Sequence, residues 1–200
     1  PEEAVISTHD VPNIYHVPLM LEAQGLCATL GLKVQPNGLL DDWRRMAHHL
    51  DALEENVTIA MVGKYTDLSD AYLSVIKALQ HAAMAADRKL TIDWLEAGEL
   101  EHGVPDDVHA DAWKRLRAAD GILVPGGFGH RGVEGKILAA NYARTNGVPY
   151  FGICLGLQVA AIEFARNVLG MEGSTSTEFD EACPNPAVIF MPEISTTHLG

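Results

Sequence analysis

The sequence has few of the features that mark three large classes of protein. Its three cysteines are odd in number and widely spaced, which argues against a disulfide framework and favours a reducing compartment. Fourteen basic side chains stand against 27 acidic ones, for a net charge of -13, and no basic patch for nucleic acid is visible. No apolar run approaches the length of a membrane span, and no signal peptide is recognisable. The sequence predicts a cytoplasmic protein that binds neither nucleic acid nor membrane.

Both ends of the chain also lack the usual signs of a terminus. The sequence opens on Pro1 without methionine and closes on residues 197–200 without a terminating helix or polar tail, so we interpret it as an internal piece of a longer protein. Residues 1–32 contain one strand candidate, Ala4–Ser7, and one helix candidate, Pro18–Leu30, whose proline lies in the first turn. This segment is too short to fold alone and is typical of the tail of a second α/β domain.

Apolar periodicity predicts the organisation of the remaining chain. Residues 33–55 are predicted to be a linker with an amphipathic helix between Leu40 and Leu53. Across residues 56–200, apolar strands alternate with helices, which predicts an α/β fold with a doubly wound, mostly parallel sheet and helices on both faces. Ligands bind beyond the C-terminal strand ends of such sheets. The predicted strands are 57–62, 90–95, 121–124, 150–153 and 187–191, and the predicted helices are 72–86, 110–118, 135–145 and 157–165.

Cys154 carries the clearest chemical signal in the chain. It lies between the predicted strand at 150–153 and the following helix, with Gly152 and Gly156 on either side. The two glycines allow the tight turn that a side chain would block, and the helix N-terminus favours thiolate over thiol. This pattern is the thiol counterpart of a serine nucleophile elbow. The alternative is a buried core thiol, because free cysteine is also a common core residue.

A glycine-rich loop after the strand at 121–124 strengthens the case for a nucleophile. The loop, Pro125–Gly129, has backbone N–H groups that are able to face an anion, and attack on a carbonyl needs such donors where the oxyanion develops. The N–H groups of Gly127 and Leu155 are the natural pair. We predict no metal site, since adjacent side chains such as His48 and His49 point about 100° apart on a helix and do not easily share an ion.

These segments resemble the glutaminase domain of the CTP synthase family. The Gly-x-Cys-x-Gly turn is shared by all class I glutamine amidotransferases, whereas the Pro125–Gly132 loop and the Ser176–Phe179 segment are specific to CTP synthases. Residues 1–32 resemble the end of that family's amidoligase domain. The resemblance thus divides the chain into an amidoligase tail (1–32), a linker with its helix (33–55) and a C-terminally truncated glutamine amidotransferase type 1 domain (56–200). The matching segments are 4–7, 10–11, 14–15, 17–19, 61–65, 68–76, 121–137, 152–158, 163–168 and 176–180.

The resemblance implies a complete reaction and its participants. CTP synthases hydrolyse L-glutamine through a cysteine thioester and pass ammonia through a tunnel to UTP that ATP has phosphorylated. ATP with Mg²⁺, GTP as allosteric activator and a homo-oligomer, a tetramer, are implied for the complete enzyme. By motif match, Cys154 is the nucleophile, and a histidine stands at position 9 where a lysine is familiar. The implied glutamine-binding residues are Gly127, Leu155, Gly156, Leu157, Gln158 and Glu178, and the implied ATP contacts are His9, Asp10 and Val11.

The sequence departs from the family pattern at the general base. Family members carry a His-x-Glu motif near the C-terminus, and none follows Cys154, where His198 is the only histidine. We therefore expect the 200-residue chain alone to be inactive, and would test His81, His130 and His198 if it were not. Arg131 and Lys136 beside the glycine loop are either contacts for an anionic effector such as GTP or surface charges, and the motif match favours a functional role for Arg131. Two other functions stay open: a non-catalytic glutaminase-like binding module, and a γ-glutamyl thiol hydrolase on the same fold.

Overall fold

The computed structural model describes residues 5–33, 39–64 and 69–191, which divide into two units. The smaller unit contains the described residues up to Asn56 together with Leu79–Lys89, and the larger contains Val57–Ala78 and the chain from Leu90 onward. No helix within the described ranges is long and apolar enough to cross a membrane. The expected domain division at residues 32 and 55 stays a prediction.

Short helices and one longer amphipathic helix build the N-terminal part of the smaller unit. A 3-10 turn at Ile14–His16 leads into α1 (Val17–Ala23), α2 (Leu26–Thr29) and then α3 (Leu39–Asp51). The predicted helix from Pro18 to Leu30 is therefore wrong as a single element. Gly25 interrupts it with a φ of +72°, a left-handed conformation that ends one helix and reorients the next. The predicted amphipathic helix corresponds to α3, whose Ala47 is fully buried.

The strand expected at Ala4–Ser7 is not formed by the residues that can be described there. Ala4 lies outside the described residues, and positions 5–7 have no regular structure. The Gln24 side-chain amide contacts Ser7 instead, accepting from its N–H at 2.8 Å and donating to its C=O at 2.7 Å. A side chain thus makes the backbone hydrogen bonds that a partner strand would make, so the apolar run needs no sheet.

The larger unit is organised around a four-stranded sheet with strand order β2-β1-β3-β4. Strands β1 and β3 pair in parallel with Ile59 opposite Gly121, and β3 and β4 pair in parallel with Leu123 opposite Phe151. This arrangement confirms the predicted doubly wound α/β fold. The strands are β1 (Asn56–Gly63), β2 (Lys89–Glu96), β3 (Gly121–Val124) and β4 (Tyr150–Gly152).

Helices connect the successive strands and cover the apolar sheet. Helix α4 (Leu73–Ala85) joins β1 to β2, α5 (Asp106–Ala118) joins β2 to β3, α6 (Val133–Asn146) joins β3 to β4, and α7 (Leu155–Asn167) follows β4. Each lies where the periodicity predicts a helix. Helix α5 begins four residues earlier than predicted because two aspartates in its first turn suit the positive helix N-terminus. The core includes Ala60, Val62, Leu95, Leu116, Ile122, Val124, Ile137, Ala139, Leu155, Val159 and Ile162.

The strand predicted at Ala187–Met191 is wrong. Only Val188 pairs, through one isolated parallel bridge to Ser176. The neighbouring hydrogen bonds, from Ala187 N–H to the Thr175 carbonyl and from Thr177 N–H to the Val188 carbonyl, go to an irregular segment rather than to the sheet. Pairing therefore stops after one residue, and the three apolar side chains that follow are exposed.

Candidate active site

The elbow at Cys154 joins β4 to α7 in a strained backbone conformation. Cys154 has φ +53° and ψ -109°, a combination that non-glycine residues rarely adopt, and its side chain is exposed. Strain of this kind persists only where the surrounding structure holds it. The predicted sharp turn is therefore present, and it presents the thiol at the C-terminal end of the parallel sheet.

Close backbone packing explains the two glycines around Cys154. A Cβ atom at Gly152 would lie 2.4 Å from the carbonyl carbon and oxygen of Gly156, and one at Gly156 would lie 2.0 Å from the Val124 carbonyl oxygen. Neither position accepts a side chain without backbone movement. The Tyr150 hydroxyl donates to the Gly156 carbonyl at 2.7 Å, and burial raises the pKa of Tyr150. The elbow is thus pressed against β3 and tied back to β4.

The glycine-rich loop lies directly against the thiol. A Cβ atom built on Gly126 would lie 3.3 Å from the Cys154 Cβ and 3.9 Å from its Sγ. Within residues 5–33, 39–64 and 69–191, no acceptor takes the backbone N–H groups of residues 126–131 or that of Leu155. Groups of this kind cost free energy when left unpaired away from water. They are consequently available to an oxyanion or to another anionic ligand.

The structure brings most of the expected glutamine-binding residues together at this elbow. Gly127 lies on the loop, and Leu155, Gly156, Leu157 and Gln158 form the first turn of α7. Leu155 and Gly156 are buried, Gln158 is half-buried, and Leu157 is exposed. Their roles toward a substrate stay a prediction.

Glu178 is exposed in a segment that approaches the glycine loop. Its backbone N–H donates to the Ser176 hydroxyl at 3.2 Å. The next residue, Phe179, packs edge-on against the ring of His130, with ring centroids 5.4 Å apart. This contact joins the two segments that the sequence reasoning took as specific to the CTP synthase family.

The histidines considered as a base do not contact the thiol in the described part of the chain. His130 is exposed on the glycine loop against Phe179, and His81 in the smaller unit forms a 2.8 Å hydrogen bond with the Tyr15 hydroxyl. His198 lies outside the described residues. No described residue forms a hydrogen bond with the Cys154 sulfur. The described residues therefore hold a candidate nucleophile and candidate oxyanion donors, but no histidine that contacts the Cys154 thiol.

Two lysines beside the glycine loop are buried, whereas the sequence predicts Lys136 as an effector contact or a surface charge. Lys64, directly after β1, donates from its ammonium to the carbonyls of Phe128 (2.7 Å) and Gly129 (3.4 Å). Lys136 on α6 is 1% exposed, and its Nζ lies 3.7 Å from where a Cβ on Gly127 would sit. Burial lowers the pKa of Lys136, and the nearby charge of Lys64 lowers it further. The sequence signal for the burial of Lys136 is its place within an apolar stripe of the predicted helix at 135–145.

The remaining candidate residues are Arg131 and the segment from His9 to Val11. Arg131, the candidate GTP contact, is 67% exposed and donates to Glu96 at 3.2 Å. His9 and Asp10 are exposed and Val11 is half-buried, in an irregular segment of the smaller unit whose backbone groups find no partner among the described residues.

His48 and His49 are both exposed on α3, and each lies near other polar side chains. His49 contacts Asp87 at 2.9 Å, while the nitrogens of His48 and His16 and an Asp51 oxygen lie within 4.8 Å of one another. Asp51 already accepts from His16 and from Asn13, and the His16 hydrogen bond is the main cause that lowers its pKa. The cluster ties the 3-10 turn to the end of α3.

Comparison with known proteins extends these observations. The sequence profile of the family described as Glutamine amidotransferase class-I matches residues 67–185. CTP synthase from Dictyostelium discoideum is 49% identical over 98% of this chain and 38% of its own length. CTP synthase 1 from Homo sapiens is 46% identical over 99% of this chain and 35% of its own length. The chain thus spans a little over a third of the curated relatives it matches, and the predicted resemblance to CTP synthases is confirmed.

A solved structure agrees with the sequence comparison. The Trypanosoma brucei CTPS glutaminase domain with bound acivicin is 42% identical, with a TM-score of 0.64 over 71% of this chain and 53% of that chain. The family profile itself covers more than half of the sequence, and its residues include the parallel strands β2 to β4 and the glycine-flanked cysteine elbow. On these grounds, the chain belongs to the class I glutamine amidotransferase family.

Proposed function

We propose that the larger unit is the glutaminase part of a CTP synthase and that it hydrolyses L-glutamine at Cys154. One observation carries the proposal: a strained, exposed thiol lies against a loop whose N–H groups from residue 126 to residue 131 have no acceptor among the described residues. A thiol nucleophile and free backbone donors are two of the parts that acyl transfer from an amide requires, alongside a general base.

The geometry supports a thioester mechanism. The Cys154 thiolate attacks the side-chain carboxamide carbon of glutamine, and the resulting oxyanion is stabilised by the N–H groups of Gly127 and Leu155. Cleavage of the C–N bond releases ammonia, whose nitrogen takes the proton that the thiol gave up. Water then attacks the γ-glutamyl thioester, which releases glutamate and returns the thiol. Glu178 is proposed to pair with the substrate ammonium, because a carboxylate suits that charge.

The complete protein is proposed to use the ammonia to convert UTP to CTP. The names of relatives at 46–50% identity support this step. ATP, Mg²⁺, GTP activation and a homotetramer are proposed on the same ground, with His9, Asp10 and Val11 as ATP contacts. The backbone groups of these three residues have no partners among the described residues, which suits recognition of an adenine edge, while no described residue is assigned to Mg²⁺. The cytoplasmic location stays a prediction.

Replacing the nucleophile in the full-length protein tests the proposal. Cys154→Ala should abolish CTP formation from glutamine while ammonia-dependent CTP formation continues, since only the first half-reaction uses the thiol. Cys27→Ala, a second exposed cysteine, is the matched control and should retain both activities. Glutamine-dependent activity that survives Cys154→Ala would overturn the assignment. Failure of the original full-length protein to hydrolyse glutamine at all would favour the non-catalytic binding module.

A further inference from the structure

Lys136 is a buried charge to which the described residues offer no direct hydrogen bond or ion pair, and Glu96 is the opposite charge that acts on it from further away. Its side chain is 1% exposed on α6, and within the described residues no hydrogen bond or ion pair reaches its ammonium. Burying an unpaired ammonium costs free energy of folding. An apolar side chain of similar size would fill this space without that cost. The position of the ammonium, 3.7 Å from where a Cβ on Gly127 would lie, points to the glycine loop as the reason for the lysine.

Lys64 approaches the same loop from β1. It is 8% exposed, and its ammonium donates to the carbonyls of Phe128 and Gly129 at 2.7 and 3.4 Å. The Tyr72 hydroxyl donates to the Lys64 carbonyl at 2.7 Å, which fixes the lysine backbone. Gly129 has a φ of +78°, a left-handed conformation that glycine adopts readily, at the point where the loop meets the Lys64 ammonium.

The direction of the loop peptides follows from these contacts. In a trans peptide the C=O and the next N–H point in opposite directions. Because the carbonyls of Phe128 and Gly129 point to Lys64, the N–H groups of Gly129 and His130 point away from it. The loop therefore has an inner face of carbonyls next to buried positive charge, and its N–H groups remain without acceptors in the described part of the chain.

We propose that Lys64 and Lys136 are positioning residues for glutamine hydrolysis, which hold the loop of residues 125–132 with its N–H groups free for the oxyanion beside Cys154. The inference rests on the proposed glutaminase function. Lys64 acts through hydrogen bonds to the loop carbonyls. Lys136 acts through its charge behind Gly127, which favours inward carbonyls and adds positive potential at the site where negative charge develops.

The test uses Lys136→Met in the full-length protein, because methionine keeps the length of the side chain and removes its charge. We expect kcat for glutamine hydrolysis to fall about 10-fold or more with little change in KM, while ammonia-dependent CTP formation is retained. The same variant should unfold at a temperature equal to or higher than that of the original protein, because an unpartnered buried ammonium has been removed. Lys136→Arg should restore part of the lost kcat.

One further measurement, the rate of Cys154 alkylation, separates this inference from the proposed function. Alkylation of Cys154 by iodoacetamide at pH 7 needs no general base, and it should slow several-fold in Lys136→Met and in Lys64→Met. The control is Lys114→Met, at an exposed lysine on α5. This variant should change neither kcat for glutamine hydrolysis nor the rate of Cys154 alkylation. If the original protein fails to hydrolyse glutamine, the proposed function fails, and the alkylation rates still test the lysines. Unchanged kcat and alkylation in Lys136→Met, or a loss of kcat that parallels a fall in unfolding temperature, would overturn the inference.

Discussion

Lys136 on α6 and Glu163 on α7 are both buried, but their surroundings differ completely. Glu163 is 2% exposed and accepts hydrogen bonds from Asn141, Arg144 and Asn167 at 2.8–3.1 Å. Lys136 is equally buried and has no such partner among the described residues. A buried charge whose partners are all protein groups stabilises the fold of its region. A buried charge without partners lowers the stability of the fold. A residue that carries one is therefore a candidate for a functional role in a neighbouring site.

The largest expected effect comes from removing the Glu163 carboxylate. Glu163→Ala removes the carboxylate that accepts hydrogen bonds from Asn141, Arg144 and Asn167, and we expect a loss of about 2–3 kcal/mol in the free energy of unfolding, since the Arg144 guanidinium is 37% exposed and is hydrated once its partner is gone. Thermal unfolding and hydrogen exchange in α6 and α7 measure it. Glu134→Ala is the matched control, since Glu134 is 58% exposed in its pair with Arg166 and should cost less than about 1 kcal/mol. Equal losses in both variants would contradict the distinction between them.

A second prediction concerns the packed glycines of the elbow. Gly156→Ala would place a Cβ 2.0 Å from the Val124 carbonyl oxygen, which should cost about 1–3 kcal/mol and sharply slow alkylation of Cys154 as the elbow shifts. Gly98→Ala serves as control because its Cβ would meet nothing within 4 Å. An alanine at position 156 that leaves both stability and alkylation unchanged would show that close packing does not maintain the strained thiol.

A third prediction concerns how the stability that Glu163 contributes depends on pH. The hydrogen bond from Arg144 is the main cause that holds the pKa of Glu163 below its ordinary value of 4.5. A lowered carboxyl pKa contributes stability above the unfolded value, and this is lost as pH falls through the folded value. Glu163→Gln should therefore be less stable than the original protein at pH 7, by about 1 kcal/mol, and the difference should shrink below pH 4.5. A difference that stays constant with pH would contradict this account.

The smallest effect is expected at the exposed pair of Arg131 and Glu96. Because Arg131 is 67% exposed, water and salt screen its charge, and Arg131→Ala should change the free energy of unfolding by less than about 0.5 kcal/mol. If Arg131 contacts GTP as proposed, the same variant should reduce GTP activation of the full-length protein at unchanged stability. A stability loss comparable to that of Glu163→Ala would show that the exposed fraction of a side chain does not predict how much its ion pair stabilises the fold.

The sequence by itself determined the elements whose cause is local. Apolar runs and helical stripes placed β1 to β4 and α3 to α7 within a few residues, and β3 was predicted at its observed bounds. The elbow at Cys154 was also predictable, because glycines at 152 and 156 signal backbone crowding whatever the rest of the chain does. Local cues failed where a distant group supplied the pairing: Gln24 replaces a strand beside Ser7, and residues 175–177 give Val188 a single bridge.

Only the tertiary structure decided which buried charges have partners. Lys64 meets Phe128 across 64 positions of sequence, and Arg144 meets Glu163 across 19. Periodicity assigns a residue to the inner face of a helix, but it does not say which atoms face it there. A lysine and a glutamate at inward positions therefore look alike in the sequence. They differ in the folded chain because packing surrounds Glu163 with donors and leaves the Lys136 ammonium at the back of a loop of free N–H groups.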